Sequence, residues 1–238
     1  MPVPRFGRVI VKLSGEALLG DGVPISHDSA RRIAAEIGQA SDDGAQIGVV
    51  IGGGNILRGS QTAREGRERV RADHAGMLAT VLNGLALARA FEADGKQASV
   101  LSAVPCGPAA ELYHRDLADE RLRSGHIVML TGGTGNPFFS TDTAAALRAA
   151  ELGAGAILKA TKVDGVYSAD PVTDPDATLY SKLTYEEVLR DRLGVMDMTA
   201  VSLARDRDLP IIVFSLFTPG NIARAVRGED VGTIVKED

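Results

Sequence analysis

The sequence contains no tryptophan, only one cysteine and very few other aromatic residues. Phe, Trp and Tyr together make up 4% of the 238 residues, and the single cysteine is Cys106. One cysteine excludes an internal disulfide and fits a reducing compartment. With so few aromatic rings, the core must be built from Ala, Val, Ile and Leu, a composition that suits parallel strands covered by helices.

A long apolar run and a marked excess of one charge are also missing. No stretch approaches the roughly 18–20 apolar residues of a membrane span, and the N-terminus shows no signal-type apolar segment. The net charge is −5 with both signs interspersed, which does not indicate a nucleic-acid surface. The four histidines show no ligand spacing. We therefore expect a cytoplasmic protein without a membrane or nucleic-acid partner.

Strand patterns and helical patterns alternate along the whole chain. The continuous apolar run Gln46–Ile51 indicates a buried strand, whereas Ser26 is a typical N-cap for a helix that ends near Gly44. The alternation predicts an α/β fold, a three-layer α/β/α sandwich with a central, mostly parallel sheet, in one domain spanning residues 1–238. The other predicted strands are Arg8–Leu13, Ala98–Val104, His126–Leu130, Ala156–Ala160, Pro210–Phe214 and Gly232–Val235. The other predicted helices are Asp73–Ala93, Asp142–Leu152, Tyr185–Leu193, Thr199–Asp208 and Pro219–Val226, the last with Pro219 near its first position.

Three glycine-rich turns follow predicted strands, at Ser14-Gly15, at Gly52–Asn55 and at Thr131–Asn136. Because parallel sheets bind ligands at the carboxyl ends of their strands, these turns are expected to line one edge of the sheet. Glycine lets backbone N–H groups approach an anion closely, and a following helix N-terminus adds positive potential. One such turn is as often purely structural, but three at one edge favour phosphate binding.

Two common nucleotide-binding motifs are missing. The pattern G-x-x-x-x-G-K-[ST] does not occur, which excludes a Walker-type NTPase. The pattern G-x-G-x-x-G fails as well, because its last position is Leu57 in one turn and Phe138 in another. The sequence therefore lacks the motif that is typical of dinucleotide-binding folds.

Lys12 is the first candidate for the chemistry. It lies at the end of an apolar strand, directly before Ser14-Gly15, where its ammonium group can reach nucleotide phosphates and offset charge during phosphoryl transfer. The alternative is a lysine that extends from the strand end to water. We favour the phosphate role because a glycine turn adjoins it.

The arginines after the second glycine turn fall into two groups. Arg58 follows the turn at close range and can bind a phosphate bidentately. The others alternate with Glu65 and Glu68, and we interpret them as a solvated face. They are Arg64, Arg67, Arg69 and Arg71.

Asp142 and the segment 159–171 each allow two interpretations. Asp142 is either an ordinary acid at a helix N-terminus or the acid that orients Lys12 or helps to hold Mg²⁺. The segment begins in a strand and becomes rich in turn residues. Its residues Thr161, Tyr167 and Asp170 can contact a base and ribose, although a surface hairpin explains the Gly and Pro equally well.

Taken together, the motifs resemble those of the bacterial UMP kinases of the amino-acid-kinase superfamily from end to end. ADHAGMLATVLNG (72–84) and TGNPFFSTD (134–142) are specific to these kinases, whereas the KxSGE and Gly-Gly-Gly-Asn strings occur more widely in the superfamily. The other strings that carry the resemblance are VKLSGEAL (11–18), GVVIGGGNILRG (48–59), LKATKVDGVYSADP (158–171) and VMDMTAVSLARD (195–206).

The resemblance implies a nucleoside monophosphate kinase that transfers the γ-phosphoryl group of ATP to UMP, with Mg²⁺ carried by ATP. Lys12 would bridge the transferring group, Asp142 would organise that lysine, and Asp73 would hydrogen-bond the UMP ribose. Implied ATP contacts are Lys12, Leu13, Ser14, Gly15, Gly54, Arg58, Thr161, Tyr167 and Asp170. Implied UMP contacts are Gly53, Asp73, Thr134, Gly135, Asn136, Pro137, Phe138, Phe139, Ser140 and Thr141. Ser140 stands where the family has Thr, and it keeps the hydroxyl.

The same resemblance implies a homohexamer that UTP inhibits and GTP activates, and Gly20–Ile25 matches a segment implicated in the GTP response.

No His or Cys lies in the glycine turns to act as a nucleophile, which favours direct in-line transfer. One alternative is a superfamily member that phosphorylates a carboxylate or carbamate, such as acetylglutamate. Another is a non-catalytic nucleotide sensor that regulates transcription. The joint retention of Lys12, Arg58, Asp73 and Asp142 argues against the second.

Overall fold

The computed structural model describes residues 4–57, 67–171, 173–174 and 176–237. Its strands are β1 (Arg8–Leu13), β2 (Gln46–Ile51), β3 (Ala98–Ser102), β4 (Glu111–Leu112), β5 (Ile127–Thr131), β6 (Ala156–Thr161), β7 (Lys182–Leu183), β8 (Ile211–Ser215) and β9 (Thr233–Val235). Its α-helices are α1 (His27–Asp42), α2 (Arg67–Ala93), α3 (Arg115–Arg123), α4 (Thr141–Leu152), α5 (Tyr185–Arg190), α6 (Met198–Asp206) and α7 (Asn221–Arg227).

The described strands form one sheet in the order β4-β3-β5-β2-β1-β6-β8-β9-β7. All neighbouring pairs from β4 to β8 are parallel. The pair β8–β9 is antiparallel, and β7 is parallel to β9. The prediction of a mostly parallel sheet is therefore confirmed, and the carboxyl ends of β5, β2, β1 and β6 lie side by side.

Helices cover both faces of the sheet, which gives the three-layer sandwich predicted from the sequence. Val11 of β1 packs in the core beneath α1, α2 and α7, whereas Ile10 packs in the core beneath α3, α4, α5 and α6. Successive side chains of a strand point to opposite faces. Lys12 therefore shares the face of Ile10, which is the face covered by α4.

Most predicted elements are confirmed within a few residues, but the start of the long helix is wrong. Asp73 was predicted to open it, whereas α2 already includes Arg67, so Asp73 lies well inside the helix. Arg and Glu are good helix formers, so the polarity of the preceding stretch did not signal a loop.

Two further helices differ from the prediction. The N-cap of α7 is Gly220, with φ of 80°, so Pro219 precedes the cap instead of occupying the first helical position. Helix α3 was not predicted at all. Its sequence is mostly charged and buries only Ala118 and Leu122, which is too little for an apolar periodicity to appear.

None of the helices in the described ranges is long and apolar enough to cross a membrane. The apolar residues of α2 divide between core and surface. Met77 and Val81 are buried, whereas Leu78 and Leu82 are 51% and 52% exposed.

Candidate active site

The glycine turns after β1 and β2 touch each other at the carboxyl edge of the sheet. A Cβ atom on Gly15 would lie 2.5 Å from the carbonyl oxygen of Gly52, so only glycine fits this contact. Ser14 caps the short 3-10 helix Gly15–Leu18 by accepting a hydrogen bond from Glu16 N. The third turn, after β5, lies at the same edge because β5 is the neighbour of β2.

Helix α2 holds the second and third turns through buried polar side chains. Asn83 donates to Gly52 O at 2.7 Å and pairs with the Asn55 amide at 2.8 Å. Thr80 accepts a hydrogen bond from Gly132 N at 2.8 Å. A Cβ on Gly53 would lie 2.8 Å from the Ala79 side chain, so the second turn packs directly on the helix.

Lys12, Asp142 and Lys159 form a buried cluster of charges beside these turns. The register pairs Lys12 of β1 with Lys159 of β6, so both side chains leave the sheet on the same face. Asp142, in the first turn of α4, pairs through Oδ1 with Lys12 and through Oδ2 with Lys159 Nζ at 2.9 Å. The three side chains are only 11%, 14% and 15% exposed. Two ammonium groups and one carboxylate leave the cluster with a net positive charge.

The ionisation of this cluster follows from burial and from its own charges. Burial by itself would raise the pKa of Asp142, but the ammonium groups of Lys12 and Lys159 outweigh it and hold that pKa below its ordinary value. Burial lowers the pKa of Lys159, and the adjacent Lys12 ammonium lowers it further, while the Asp142 carboxylate opposes both effects. The carboxylate therefore stays ionised and keeps two like charges together.

Asp197 stabilises the cluster through hydrogen bonds to the start of α4, the helix that carries Asp142. It is the N-cap of α6, where it accepts from Ala200 N, and it also accepts from Thr143 Oγ1 at 3.0 Å and from Ser140 Oγ. Ser140 in turn caps α4 by accepting from Asp142 N at 2.9 Å. The backbone next to Asp197 takes part as well, because Lys159 Nζ donates to the Val195 carbonyl. Helix α6 thus fixes the start of α4, and with it Asp142.

A cavity of about 150 Å³ opens beside the glycine turns. Several residues predicted to contact UMP line it together with Gly54, which was predicted to contact ATP phosphates. Lys12 and Lys159 lie near the carboxyl ends of β1 and β6, and Asp142 directly follows Thr141, which lines the cavity, so the cavity adjoins the cluster of charges. The predicted residues that line the cavity are Gly53, Gly54, Asp73, Phe139 and Thr141.

Asp73 joins the two walls of this cavity. Its carboxylate accepts from Arg69 Nε at 2.8 and 3.0 Å, one turn earlier on α2. It also accepts from Phe138 N at 2.8 Å, in the loop between β5 and α4. The interpretation of Arg69 as part of a solvated face is therefore wrong, because its side chain is paired and lines the cavity. Arg71, in contrast, is exposed as expected.

The loop between β5 and α4 contains the other predicted UMP contacts. Thr134 Oγ1 bonds with the backbone of Asn136, and Gly135, with φ of 82°, closes a turn onto Gly132 O at 3.0 Å. Phe138 has φ of 72°, a conformation that non-glycine residues rarely adopt. Its N–H bond to Asp73 holds it there. Phe138 and Phe139 are 65% and 51% exposed, and Phe139 lines the cavity.

Beneath this loop lies a buried arginine, Arg148 of α4. It donates to Glu151 at 2.6 Å and to Gly133 O at 3.4 Å, and its guanidinium stacks on the Tyr113 ring at 3.8 Å. Gly133 itself lines the cavity. The sequence analysis did not single out Arg148, because a lone arginine in an alanine-rich helix carries no local signal.

The remaining predicted ATP contacts lie on the other side of the Lys12 cluster. Thr161 ends β6 and donates to Val163 O at 2.7 Å, and Tyr167 forms a bridge with Leu179. Asp170 accepts from Thr173 N at 3.1 Å through its carbonyl. Arg58 lies outside the described residues, as does Arg64. Among the residues that are described, no group of three or more His, Cys, Asp or Glu side chains is suited to a metal ion.

Lys159 and Asp197 are site residues that sequence reasoning missed. Lys159 was placed only in a segment proposed for base and ribose contacts, yet it occupies in β6 the position that Lys12 occupies in β1. A lysine near the end of a second apolar strand was the available signal. Asp197 carries an N-cap signal for α6, but only the fold brings it to Ser140 and Thr143.

Three adjacent strand ends with glycine turns, a buried pair of lysines and a neighbouring cavity form the arrangement expected of a phosphoryl-transfer site on a three-layer α/β/α fold. The amino acid kinase family matches residues 7–215.

The chain is 49% identical over 236 residues to the uridylate kinase of Methylococcus capsulatus, covering 99% of each protein. It is 51% identical over 234 residues to the uridylate kinase of Marinobacter nauticus, covering 98% of this chain and 97% of that protein. The crystal structure of UMP kinase from Bacillus anthracis superimposes with a TM-score of 0.93 at 40% identity, covering 98% of this chain and 97% of that one. The chain therefore belongs to the amino acid kinase family.

Proposed function

We propose that this protein is a uridylate kinase that transfers the γ-phosphoryl group of ATP to UMP, giving ADP and UDP. Relatives named uridylate kinase align with nearly the whole chain at 49% and 51% sequence identity. The observation that carries the proposal is the position of the Lys12–Asp142–Lys159 cluster. Lys12 directly precedes the first glycine turn, and Asp142 directly follows Thr141, which lines the cavity together with Gly53 and Asp73.

The chemistry we infer is direct transfer with both phosphates held near this cluster. The transferring phosphoryl group spreads negative charge over its equatorial oxygens, and Lys12 and Lys159 offset that charge in a site with little water. The Asp142 carboxylate offsets the repulsion between the two ammonium groups and so keeps them close together. The proposed phosphate contacts of ATP are Lys12, Leu13, Ser14, Gly15, Gly54 and Arg58. Thr161, Tyr167 and Asp170 are the proposed contacts of its ribose and adenine.

The acceptor is proposed to occupy the cavity beside α2. Gly53 would contact UMP, and Asp73 would accept a hydrogen bond from its ribose. The exposure of the Phe138 and Phe139 side chains supports a role in enclosing a flat base. The other proposed UMP contacts are Thr134, Gly135, Asn136, Pro137, Ser140 and Thr141.

Mg²⁺ is proposed to enter with ATP. The Asp142 carboxylate already faces two ammonium groups, which disfavours a divalent cation held directly by that side chain. The described residues therefore do not fit an all-protein magnesium site, and the phosphates of ATP would carry the ion with part of its water shell.

Further properties implied by the family are part of the same proposal. They are a homohexamer, inhibition by UTP, activation by GTP and a cytoplasmic location. The exposed Leu78 and Leu82 on α2 support contact between subunits through that helix. Sedimentation of the purified protein measures the assembly, and initial rates with added UTP or GTP measure the regulation.

The direct test is a coupled assay of ADP formation with UMP, CMP, dUMP and acetylglutamate as acceptors, together with identification of UDP. We expect rapid UDP formation with UMP. If the protein phosphorylates acetylglutamate and does not phosphorylate UMP, it is a carboxylate kinase and the proposal is wrong. Nucleotide binding without any UDP would indicate a sensor.

A further inference from the structure

Arg69 is a charged residue of the acceptor cavity to which neither the sequence motifs nor the proposed chemistry gave a role. It lies on α2, and among the described residues that line the cavity it is the only cation. Its side chain is 39% exposed and that of Asp73 is 16% exposed, so the pair is partly withdrawn from water. Arg71, two residues further along the same helix, is exposed and does not line the cavity.

The contact between Arg69 and Asp73 fixes an orientation. Nε of Arg69 lies 2.8 Å from one carboxylate oxygen of Asp73 and 3.0 Å from the other, and Phe138 N donates to the second oxygen at 2.8 Å. The terminal torsion of an aspartate is broad, so a carboxylate without fixed donors rotates. Donors from the same helix and from the opposite loop hold this one in a single plane. Each oxygen can accept more than one hydrogen bond.

The charge of Arg69 also suits an anionic acceptor. A nucleoside monophosphate brings a doubly charged phosphate into the cavity that contains the Asp73 carboxylate. Without a cation the two would repel each other in a partly desolvated site. Arg69 neutralises the carboxylate locally and leaves it able to accept a hydrogen bond.

We propose that Arg69 is a positioning residue for acceptor recognition. Its guanidinium holds the Asp73 carboxylate in the orientation that fastens the loop at Phe138 and presents an oxygen to a ribose hydroxyl of the acceptor. This inference rests on the proposed function, because it takes UMP as the acceptor. Arg69 acts through Asp73 and does not touch the transferring phosphoryl group.

The test is a double-mutant cycle of Arg69→Ala and Asp73→Asn, with Arg71→Ala as the matched control on the same helix. In Arg69→Ala we expect KM for UMP to rise about tenfold, as for loss of a hydrogen bond to a charged group, with kcat nearly unchanged. The preference for UMP over its 2′-deoxy and 3′-deoxy analogues should shrink as well. The double variant should be no worse than Asp73→Asn alone, because the two residues act as one unit. Arg69→Lys should restore part of the affinity, and Arg71→Ala should match the wild type.

Three results would overturn the inference. They are additive effects in the cycle, an unchanged preference for UMP over the deoxy analogues in Arg69→Ala, and a variant indistinguishable from Arg71→Ala. Additive effects with the ribose preference intact would instead indicate a direct contact between Arg69 and the phosphate. If Arg69→Ala does not fold, Arg69→Gln is measured by the same criteria.

A calorimetric titration of UMP separates this inference from the proposed function. If the wild type forms no UDP, the proposed function fails, and the cycle is then evaluated from the Kd of UMP. If the wild type forms UDP while Arg69→Ala behaves normally, only the role of Arg69 fails.

Discussion

Two charged groups lie at the carboxyl edge of the sheet, and they differ in burial and support. The Lys12–Asp142–Lys159 cluster extends from the central strands β1 and β6 and from the start of α4, and its side chains are at most 15% exposed. The Arg69–Asp73 pair joins one helix to a loop, and its arginine is 39% exposed. The first group is fixed by the register of the sheet, whereas the second depends on a loop whose Phe138 has a positive φ.

The difference indicates a division of work. A buried cluster with excess positive charge is preorganised for charge that develops during transfer, so its loss should reduce kcat. A partly exposed pair beside a cavity contributes to binding of the acceptor before and during transfer, so its loss should raise KM.

The largest effect is expected for Lys12→Ala. Removal of this ammonium group should reduce kcat by about 10³-fold or more, as for other groups that stabilise a transferring phosphoryl group. UMP binding measured by calorimetry should remain nearly unchanged. Lys96→Ala, two residues before β3 and in an ion pair with Asp42, is the control and should retain full activity. Near-normal turnover in Lys12→Ala would remove Lys12 from the mechanism.

A smaller loss is expected for Lys159→Met, about 10²-fold in kcat. One of its protons is already donated to the Val195 carbonyl, so it contributes less to the transferring group than Lys12 does. Steady-state rates at saturating ATP and UMP measure this effect. A rise in KM for UMP with normal kcat would place Lys159 with the recognition group instead.

The Asp142→Asn variant separates the structural role of the cluster from its catalytic role. Loss of one partner from a buried ion pair costs roughly 3–5 kcal/mol of unfolding free energy, which urea denaturation measures. The pKa of Asp142 is below its ordinary value in the folded protein, so its contribution is present above the unfolded carboxyl pKa. That contribution is lost as the pH falls through the folded pKa. Wild type should therefore lose its advantage over Asp142→Asn in acid, and a constant difference across this pH range would contradict the assignment.

The smallest effect is expected for Asp197→Ala. It removes the N-cap of α6 and the acceptor of two hydroxyl groups, which should cost about 1–2 kcal/mol of unfolding free energy. Because Asp197 acts through Ser140 and Thr143, kcat should fall by less than about tenfold. Asp191→Ala, in an exposed pair with Arg190, is the matched control. Equal melting temperatures for the two variants would mean that the Asp197 network contributes nothing.

The sequence predicted the fold and part of the site for physical reasons that differ between the two groups. Strand periodicity and glycine turns are local signals, so β1, β2 and the position of Lys12 before a glycine turn could be predicted. Pairing of Lys12 with Lys159 depends on the register between strands almost 150 residues apart, which no local pattern encodes. Arg69 was misjudged because the helix was thought to begin at Asp73, and only a helix through both residues makes them neighbours one turn apart.

The most direct test of this division compares Lys12→Ala with Asp73→Asn in single-turnover experiments at saturating ATP and UMP. The transfer rate and the Kd of UMP are measured for each variant. Lys12→Ala should lose about 10³-fold in transfer rate with Kd nearly unchanged, whereas Asp73→Asn should raise Kd about tenfold and keep most of the rate. Equal losses of rate in the two variants, with weakened UMP binding in Lys12→Ala, would contradict the account.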